Sequence, residues 1–298
     1  MRKSLLTLMT TASLALASMA LRAATPTYDN IYVFGDSYCD VGNLFLATSG
    51  AEPAAPYYDM RFSNGPLWID HVAGYLGLPM QPSLLGGTNY AFGGAWVTEP
   101  QSVTGVPSVP QQVESYLLKT GGKADPNALY ILEGGGNDIL DTTAGSSQAL
   151  GLQIAFGIAD SERLLRQAGA RNFVIPNLLN VGLLPAAAGN VGFATAASAA
   201  ANKAEDDLLG FEELLEGIHI IRMDVFSMIN AVETDPTHFG FVNVTGPCLA
   251  TVGPATVVCS DPDHTFFWDT HHPTVFGHAF FAVTLENALP KQSRVDVH

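Results

Sequence analysis

Five short runs of apolar and aromatic residues, Ile31 to Phe34, Thr88 to Phe92, Ala128 to Leu132, Asn172 to Ile175 and His219 to Ile221, alternate with longer stretches of helical periodicity. This alternation restricts the fold more than any other feature of the chain. Strands separated by helices join most simply as parallel neighbours in a sheet that the helices cover. The helical stretches run over Pro66 to Gly77, Val109 to Lys119, Ala149 to Ala168, Phe193 to Glu216, Val225 to Val232 and Thr274 to Ala288. An α/β fold with a five-stranded parallel sheet is therefore expected. Ala186 to Ala201 is rich enough in alanine to suggest a linker, but alanine is the best helix former. Leu208, Leu209, Phe211, Leu214 and Leu215 continue the segment near helical spacing, which favours a surface helix. Three of the strand-like runs lead into Gly35-Asp36-Ser37, Gly93-Gly94 and Gly134-Gly135-Gly136-Asn137-Asp138. Loops at the carboxyl ends of parallel strands converge on one edge of the sheet, so one pocket is expected to gather all three.

The first 24 residues are set apart from this fold. Arg2 and Lys3 precede an apolar stretch from Leu5 to Ala20, and small residues follow, with cleavage expected after Ala20, Ala23 or Ala24. This reads as a signal peptide for bacterial export to the periplasm or the medium, leaving residues 25–298 as a single domain with no integral membrane segment. The net charge of −15 disfavours nucleic acid and anionic surfaces as partners. A local apolar lip would still allow transient contact with a lipid surface. Of the three cysteines, Cys248 and Cys259 bracket a Gly/Pro/Val-rich loop and are expected to pair in an oxidising compartment. Such a bond is worth about 3 kcal/mol in the chain-entropy picture and would restrain the segment leading to Asp269. Cys39 is left over and reads as a small buried filler.

Ser37 follows the first strand-like run, and Asp269 and His272 stand three residues apart in Asp269-Thr270-His271-His272-Pro273. A hydroxyl, an imidazole and a carboxylate can supply a nucleophile, its general base and the acid that orients the base. Pro273 keeps His272 out of the helical region and suits the first position of the next helix, placing His272 at or beside the N-cap. His271 is then a pocket-lining neighbour. His264, His271, His272 and His278 could alternatively be read as a metal cluster. The chain lacks His-Glu-x-x-His and paired Cys-x-x-Cys patterns, so neither metal nor other cofactor is expected. The Gly134 to Asp138 loop lacks the Lys-Ser/Thr of a nucleotide loop, and Ile139 falls where a dinucleotide fingerprint has its third glycine. The Asn137 amide suits an oxyanion donor better, with backbone N–H groups of Gly94 and Ser37 converging on the same oxygen. Asp36 and Asp138 read as loop-holding carboxylates. Trp96 and Trp268 are candidate pocket walls.

These blocks together resemble the GDSL, or SGNH, hydrolases. The family pattern has Ser in Gly-Asp-Ser, a Gly in a second block, Asn in Gly-x-Asn-Asp and His in Asp-x-x-His. Ser37, Gly94, Asn137 and His272 with Asp269 match it in order. The resemblance runs from about Ile31 to Phe281 and includes Asp40-Val41-Gly42-Asn43, Arg61 to Pro66, Pro236 with Gly240-Phe241, and Phe267-Trp268-Asp269. The last stretch looks most like the secreted bacterial lecithinase, haemolysin and lipase-acyltransferase branch. The resemblance implies a three-layer, flavodoxin-like α/β/α fold and a serine esterase or lipase acting on small-molecule or lipid esters. Ser37, Asp269 and His272 would be its triad; Ser37, Gly94 and Asn137 its oxyanion hole. The same groups would serve acyl transfer to an alcohol, or cleavage of acetyl, sugar or choline esters. An inactive secreted binding protein of the same fold is the alternative outside enzymes. The chain departs from the pattern at Tyr38 and Cys39, where the family's usual leucine and its follower would stand.

Overall fold

The computed structural model describes residues 28–98, 105–142, 145–215, 217–252 and 255–289, so the signal peptide expected over residues 1–24 lies outside the described residues. Four strands, β1 (Ile31–Phe34), β2 (Leu129–Leu132), β3 (Asn172–Pro176) and β4 (His219–Met223), form a wholly parallel sheet in that order. Every residue of β2 is buried, as is β3 beyond Asn172, because helices cover both faces. The helices are α1 (Asn43–Ala47), α2 (Trp68–Leu76), α3 (Val109–Lys119), α4 (Gly136–Asp141), α5 (Ser147–Ala168), α6 (Val191–Glu212), α7 (Val225–Thr234) and α8 (Val275–Ala288). α3, α5 and α6 pack as one group; α2 and α8 pack together, with Thr284 of α8 reaching Met228 of α7. Gly151 lets α5 and α6 approach closely, since a Cβ there would lie 2.6 Å from the Ala201 amide nitrogen. The core is continuous from Tyr28 to Leu289. Among the described residues no helix is long and apolar enough to cross a membrane.

The fifth strand expected over Thr88 to Phe92 lies where a flavodoxin-like order puts it, on the free side of β1, but it forms no ladder. Val33 N–H donates to Thr88 O and Tyr90 N–H to Val33 O; the Gly35 N–H that would continue the pairing donates instead to Gln112 Oε1 at 2.9 Å. Asn89 is drawn the other way, its N–H donating to Gln81 O. The edge of the sheet is thus capped by a side chain and an adjacent turn. Ser37 follows β1 at the point where the chain has neighbours running off on both sides, the place where open parallel sheets hold their sites.

The periodicity indicated α8 but not the strands between α7 and α8. β5 (Asn243–Pro247) pairs with β8 (Thr265–Phe267), and β6 (Leu249–Val252) forms an antiparallel hairpin with β7 (Ala255–Val258). Cys248 and Cys259 are bonded across the base of this hairpin. Cys248 N–H donates to Phe267 O and Leu249 N–H to Trp268 O, so the hairpin is fastened to the stretch that enters Asp269.

Candidate active site

The turn after β1 is built by two carboxylates. Asp36 Oδ1 accepts the Tyr38 N–H at 2.9 Å. Fully buried Asp40 accepts N–H groups from Gly42, Asn43, Leu44 and, across the chain, Gly93. Between them Ser37 is almost fully enclosed, and the Gly93-Gly94 block is drawn alongside. Gly94 has φ 78°, a left-handed conformation that favours glycine. Asn137 lies in the first turn of α4, which follows two glycines of positive φ, Gly134 and Gly135. Its amide nitrogen donates to Ala95 O at 3.0 Å and to Asp36 Oδ2 at 3.3 Å. The three loops thus meet at one edge. Asp138 accepts from Val97 N, Thr98 N and Thr98 Oγ1, holding the Gly94 to Thr98 loop against α4.

The other half of the site comes from a short return between β8 and α8. Trp268 N–H donates to His272 O at 2.7 Å and Thr274 N–H to Phe266 O at 2.8 Å, closing a tight turn over residues 268–272. The helix begins at Val275 with Thr274 as its cap, so His272 stands two residues ahead of the N-cap. Asp269 Oδ1 accepts both the His271 and His272 amides, and Oδ2 accepts from His272 Nδ1 at 2.7 Å. The far nitrogen, His272 Nε2, is 2.8 Å from Ser37 Oγ. Burial alone would push the Asp269 carboxyl up. The adjacent His272 imidazole, with hydrogen bonds from His272, Tyr57 and the His271 amide, outweighs it and holds the group well below the usual carboxylate range. Phe62 lies against the His272 ring, centroids 5.0 Å apart.

Tyr38 and Cys39, the two departures from the family pattern, have distinct places. The Tyr38 hydroxyl donates to His271 O at 2.7 Å, tying the turn that carries Ser37 to the turn that carries His272. Cys39 is buried; burial first, then the Glu133 and Asp36 carboxyls, push its thiol well up and away from a reactive thiolate.

One cleft contains Ser37, Asn137, His271 and His272, walled by Leu140, Leu178, Leu179, Val181 and Leu184. α6 shapes that wall: Asn202 bonds both the N–H and the C=O of Leu178, and Ser198 accepts from Val181 N. His271 therefore lines the cleft as expected. Trp96 and Trp268 do not. Trp96 donates its indole N–H to Asp141, and Trp268 is buried behind the turn against Tyr57. His264 pairs with Asp261, and His278 is buried against Tyr38, where burial, then His272 and His71, push its imidazole down to about 3. Among the described residues no group of three His, Cys, Asp or Glu side chains is placed to hold a metal ion.

Sequence reasoning missed two residues. Glu133 follows the last residue of β2 and sits where the cleft meets a second apolar pocket lined by Trp68, Met223 and Phe281. Its Oε2 accepts the Asp36 N–H at 3.4 Å, and a Cβ at Gly35 would approach it to 2.9 Å. Burial, reinforced by Asp36, pushes the Glu133 carboxyl well up. A charged side chain directly after four buried apolar residues was the available signal. The other residue is Tyr57, whose hydroxyl is 2.6 Å from Asp269 Oδ2. Nothing in the sequence marks it.

The model of the GDSL-like lipase/acylhydrolase family matches residues 31–284. The chain belongs to this family. Its relatives include the thermolabile hemolysin of Vibrio parahaemolyticus, 27% identical over 85% of this chain and 62% of that protein. The phosphatidylcholine-sterol acyltransferase of Aeromonas hydrophila is 28% identical over 79% of this chain and 70% of that one. The chain thus spans less than two thirds of the hemolysin's length. Among solved structures, a lipolytic G-D-S-L protein from Veillonella parvula superposes with a TM-score of 0.47 at 14% identity, covering 87% of this chain and 96% of that one.

Proposed function

We propose that this GDSL-family chain is an exported serine esterase that cleaves carboxylic esters through an acyl-enzyme on Ser37. One observation carries the reading: a continuous hydrogen-bonded line from Ser37 Oγ to His272 Nε2 at 2.8 Å and from His272 Nδ1 to Asp269 Oδ2 at 2.7 Å. His272 takes the Ser37 proton as Oγ attacks the ester carbonyl, and Asp269 fixes the tautomer that leaves Nε2 free to accept it. The carbonyl oxygen becomes an oxyanion, received by the Ser37 and Gly94 N–H groups and the Asn137 amide. The 3.3 Å contact from Asn137 to Asp36 is the longer of its two bonds and is the one the oxyanion replaces. Collapse of the intermediate breaks the ester C–O bond while His272 returns the proton to the leaving alkoxide. Water, activated by His272, then releases the acid and restores Ser37.

The leucine-rich wall around Leu178 and Leu179 suits an acyl chain, which makes small or lipid esters the substrate class. The Cys248–Cys259 bond and the basic and apolar residues at the N-terminus support export and removal of the leader before a single domain spanning residues 25–298. A fluorophosphonate should label the wild-type chain at Ser37 and leave Ser37→Ala unlabelled. p-Nitrophenyl esters of increasing acyl length, with and without an added alcohol, then separate hydrolysis from acyl transfer. Labelling of Ser37→Ala at another serine would remove the assignment.

A further inference from the structure

The acid of the line has a partner beyond the three residues of the triad. Asp269 offers four accepting positions, and all four are taken. Oδ1 receives the amides of His271 and His272 at 2.7 and 2.8 Å; Oδ2 receives His272 Nδ1 at 2.7 Å and the Tyr57 hydroxyl at 2.6 Å. Three of these donors belong to the turn itself. The fourth comes from a segment 212 residues away, and it shares the oxygen that faces the imidazole. Burial, then the neighbouring Asp269 charge, push the Tyr57 hydroxyl up, so it stays a donor at any pH at which the fold is used.

The segment that carries Tyr57 is itself held firmly. Arg61 grips Asp70 of α2 through two hydrogen bonds, of 3.0 and 2.9 Å. Ser63 Oγ donates to Pro273 O, and Asn64 Oδ1 accepts the Val275 N–H, so the segment brackets the base turn on its far side as well. At Gly65 a Cβ would come within 2.5 Å of Val275 Cγ2, so the Val275 side chain sits directly on the Gly65 backbone with no room between them. The Tyr57 ring packs edge-on against Trp268 and Phe62, and Phe62 lies on the His272 ring. Residues 57–65 form a clamp around the turn of residues 268–275.

We propose that Tyr57 is a positioning residue of the catalytic line, its hydroxyl fixing Asp269 Oδ2 so that the carboxylate meets His272 Nδ1 in a single orientation. A carboxylate held by its own turn alone can rock about the Cα–Cβ bond; the hydroxyl, arriving from a separately anchored segment, stops that motion. Its removal should act through Asp269 and on the chemical step, not on substrate binding, because Tyr57 does not line the cleft that contains Ser37.

This inference rests on the esterase reading above. In the full chain, Tyr57→Phe keeps the ring contacts with Trp268 and Phe62 and deletes only the hydroxyl. With p-nitrophenyl butyrate we expect kcat to fall about tenfold at unchanged KM, as befits a lost hydrogen bond to a charged group. We expect the same substitution in an Asp269→Asn background to change kcat less than about twofold, because the partner through which it acts is gone. A Tyr57→Phe chain with wild-type kcat, an equal loss in both backgrounds, or a change confined to KM would each overturn the proposal. Thermal unfolding of the variants shows whether all are folded. If Ser37→Ala retains activity, the esterase reading fails; if it is inactive while Tyr57→Phe matches wild type, only the role of Tyr57 falls.

Discussion

Replacing Asp269 with asparagine tests the catalytic line where its chemistry is most exacting. A carboxamide offers one accepting oxygen and one donating NH2 where the carboxylate has two acceptors. The two backbone N–H groups at 2.7 and 2.8 Å from Oδ1 require the oxygen of Asp269→Asn to stay on their side. The NH2 then faces His272 Nδ1, now 2.7 Å from an acceptor, and Nδ1 must accept instead of donate. The ring proton moves to Nε2 and is donated to Ser37 Oγ across 2.8 Å, so Nε2 can no longer receive the serine proton. In a serine-protease triad the same tautomer reversal lowers kcat by about 10⁴, or about 5.5 kcal/mol at 1.36 kcal/mol per decade. We expect a loss of about 10³ to 10⁴ in kcat/KM for p-nitrophenyl acetate at pH 7.5, with Tm close to that of the parent chain. Stopped-flow traces should lose the burst, since acylation is the step that fails. A folded Asp269→Asn chain with less than about a tenfold loss would refute the tautomer argument and hand the orienting role to another group.

Asn137→Ala should lower kcat about 10²- to 10³-fold with little change in KM, read from the same ester progress curves, because an oxyanion donor acts mainly in the transition state. Reducing the Cys248–Cys259 bond should lower Tm and, through the Phe267 and Trp268 carbonyls that its hairpin holds, lower activity; calorimetry and rate assays with and without dithiothreitol compare the two. Glu205 on α6 is buried 3.5 Å from Arg222, whose other contacts include Asp206 at 2.6 Å. Burial pushes its carboxyl from the ordinary 4.5 up to about 8. The folded state therefore holds this proton more tightly than the unfolded chain, so the stability is complete below about pH 4.5 and is lost as pH rises toward 8. Glu205→Gln should flatten the fall in unfolding free energy between pH 5 and pH 8.5, by an amount on the order of a few kcal/mol, read from denaturant titrations across that range.

The layered α/β design and the location of the site were legible because both depend on local patterns. The runs around Val33, Ile131 and Val174 are apolar enough to be largely buried on both faces, and the first two lead into glycine and polar residues of the candidate site. Ser37, Asn137, Asp269 and His272 could be singled out as candidates because each sits in a block whose residue types are themselves restrictive. What escaped depended on contacts distant in sequence. Thr88 to Phe92 has the composition of a strand, yet Gln112 takes the Gly35 N–H that would have extended its ladder. Trp96 and Trp268 stand near site residues in sequence, but their side chains point to Asp141 and Tyr57. Tyr57 and Glu133 stand just outside recognisable blocks, Arg61 to Pro66 and Gly134 to Asp138, and their contacts with the site depend on the fold. Tyr38 was visible as an anomaly beside Ser37, while its bond to the His271 carbonyl depends on a fold that joins residues 233 apart.

That long reach has a consequence for how the protein matures. The bonds from Ser37 to His272, Tyr38 to His271, Tyr57 to Asp269 and Ser63 to Pro273 each bridge more than two hundred residues, with separations of 235, 233, 212 and 210. Contacts of such span form late, since the loop-closure entropy must be overcome before they contribute. A nascent chain in which the turn of residues 268–272 has not yet docked carries Ser37 without its His272 partner. In the proposed esterase, ester turnover would therefore double as a folding checkpoint, starting once the turn of residues 268–272 closes on the turn after β1.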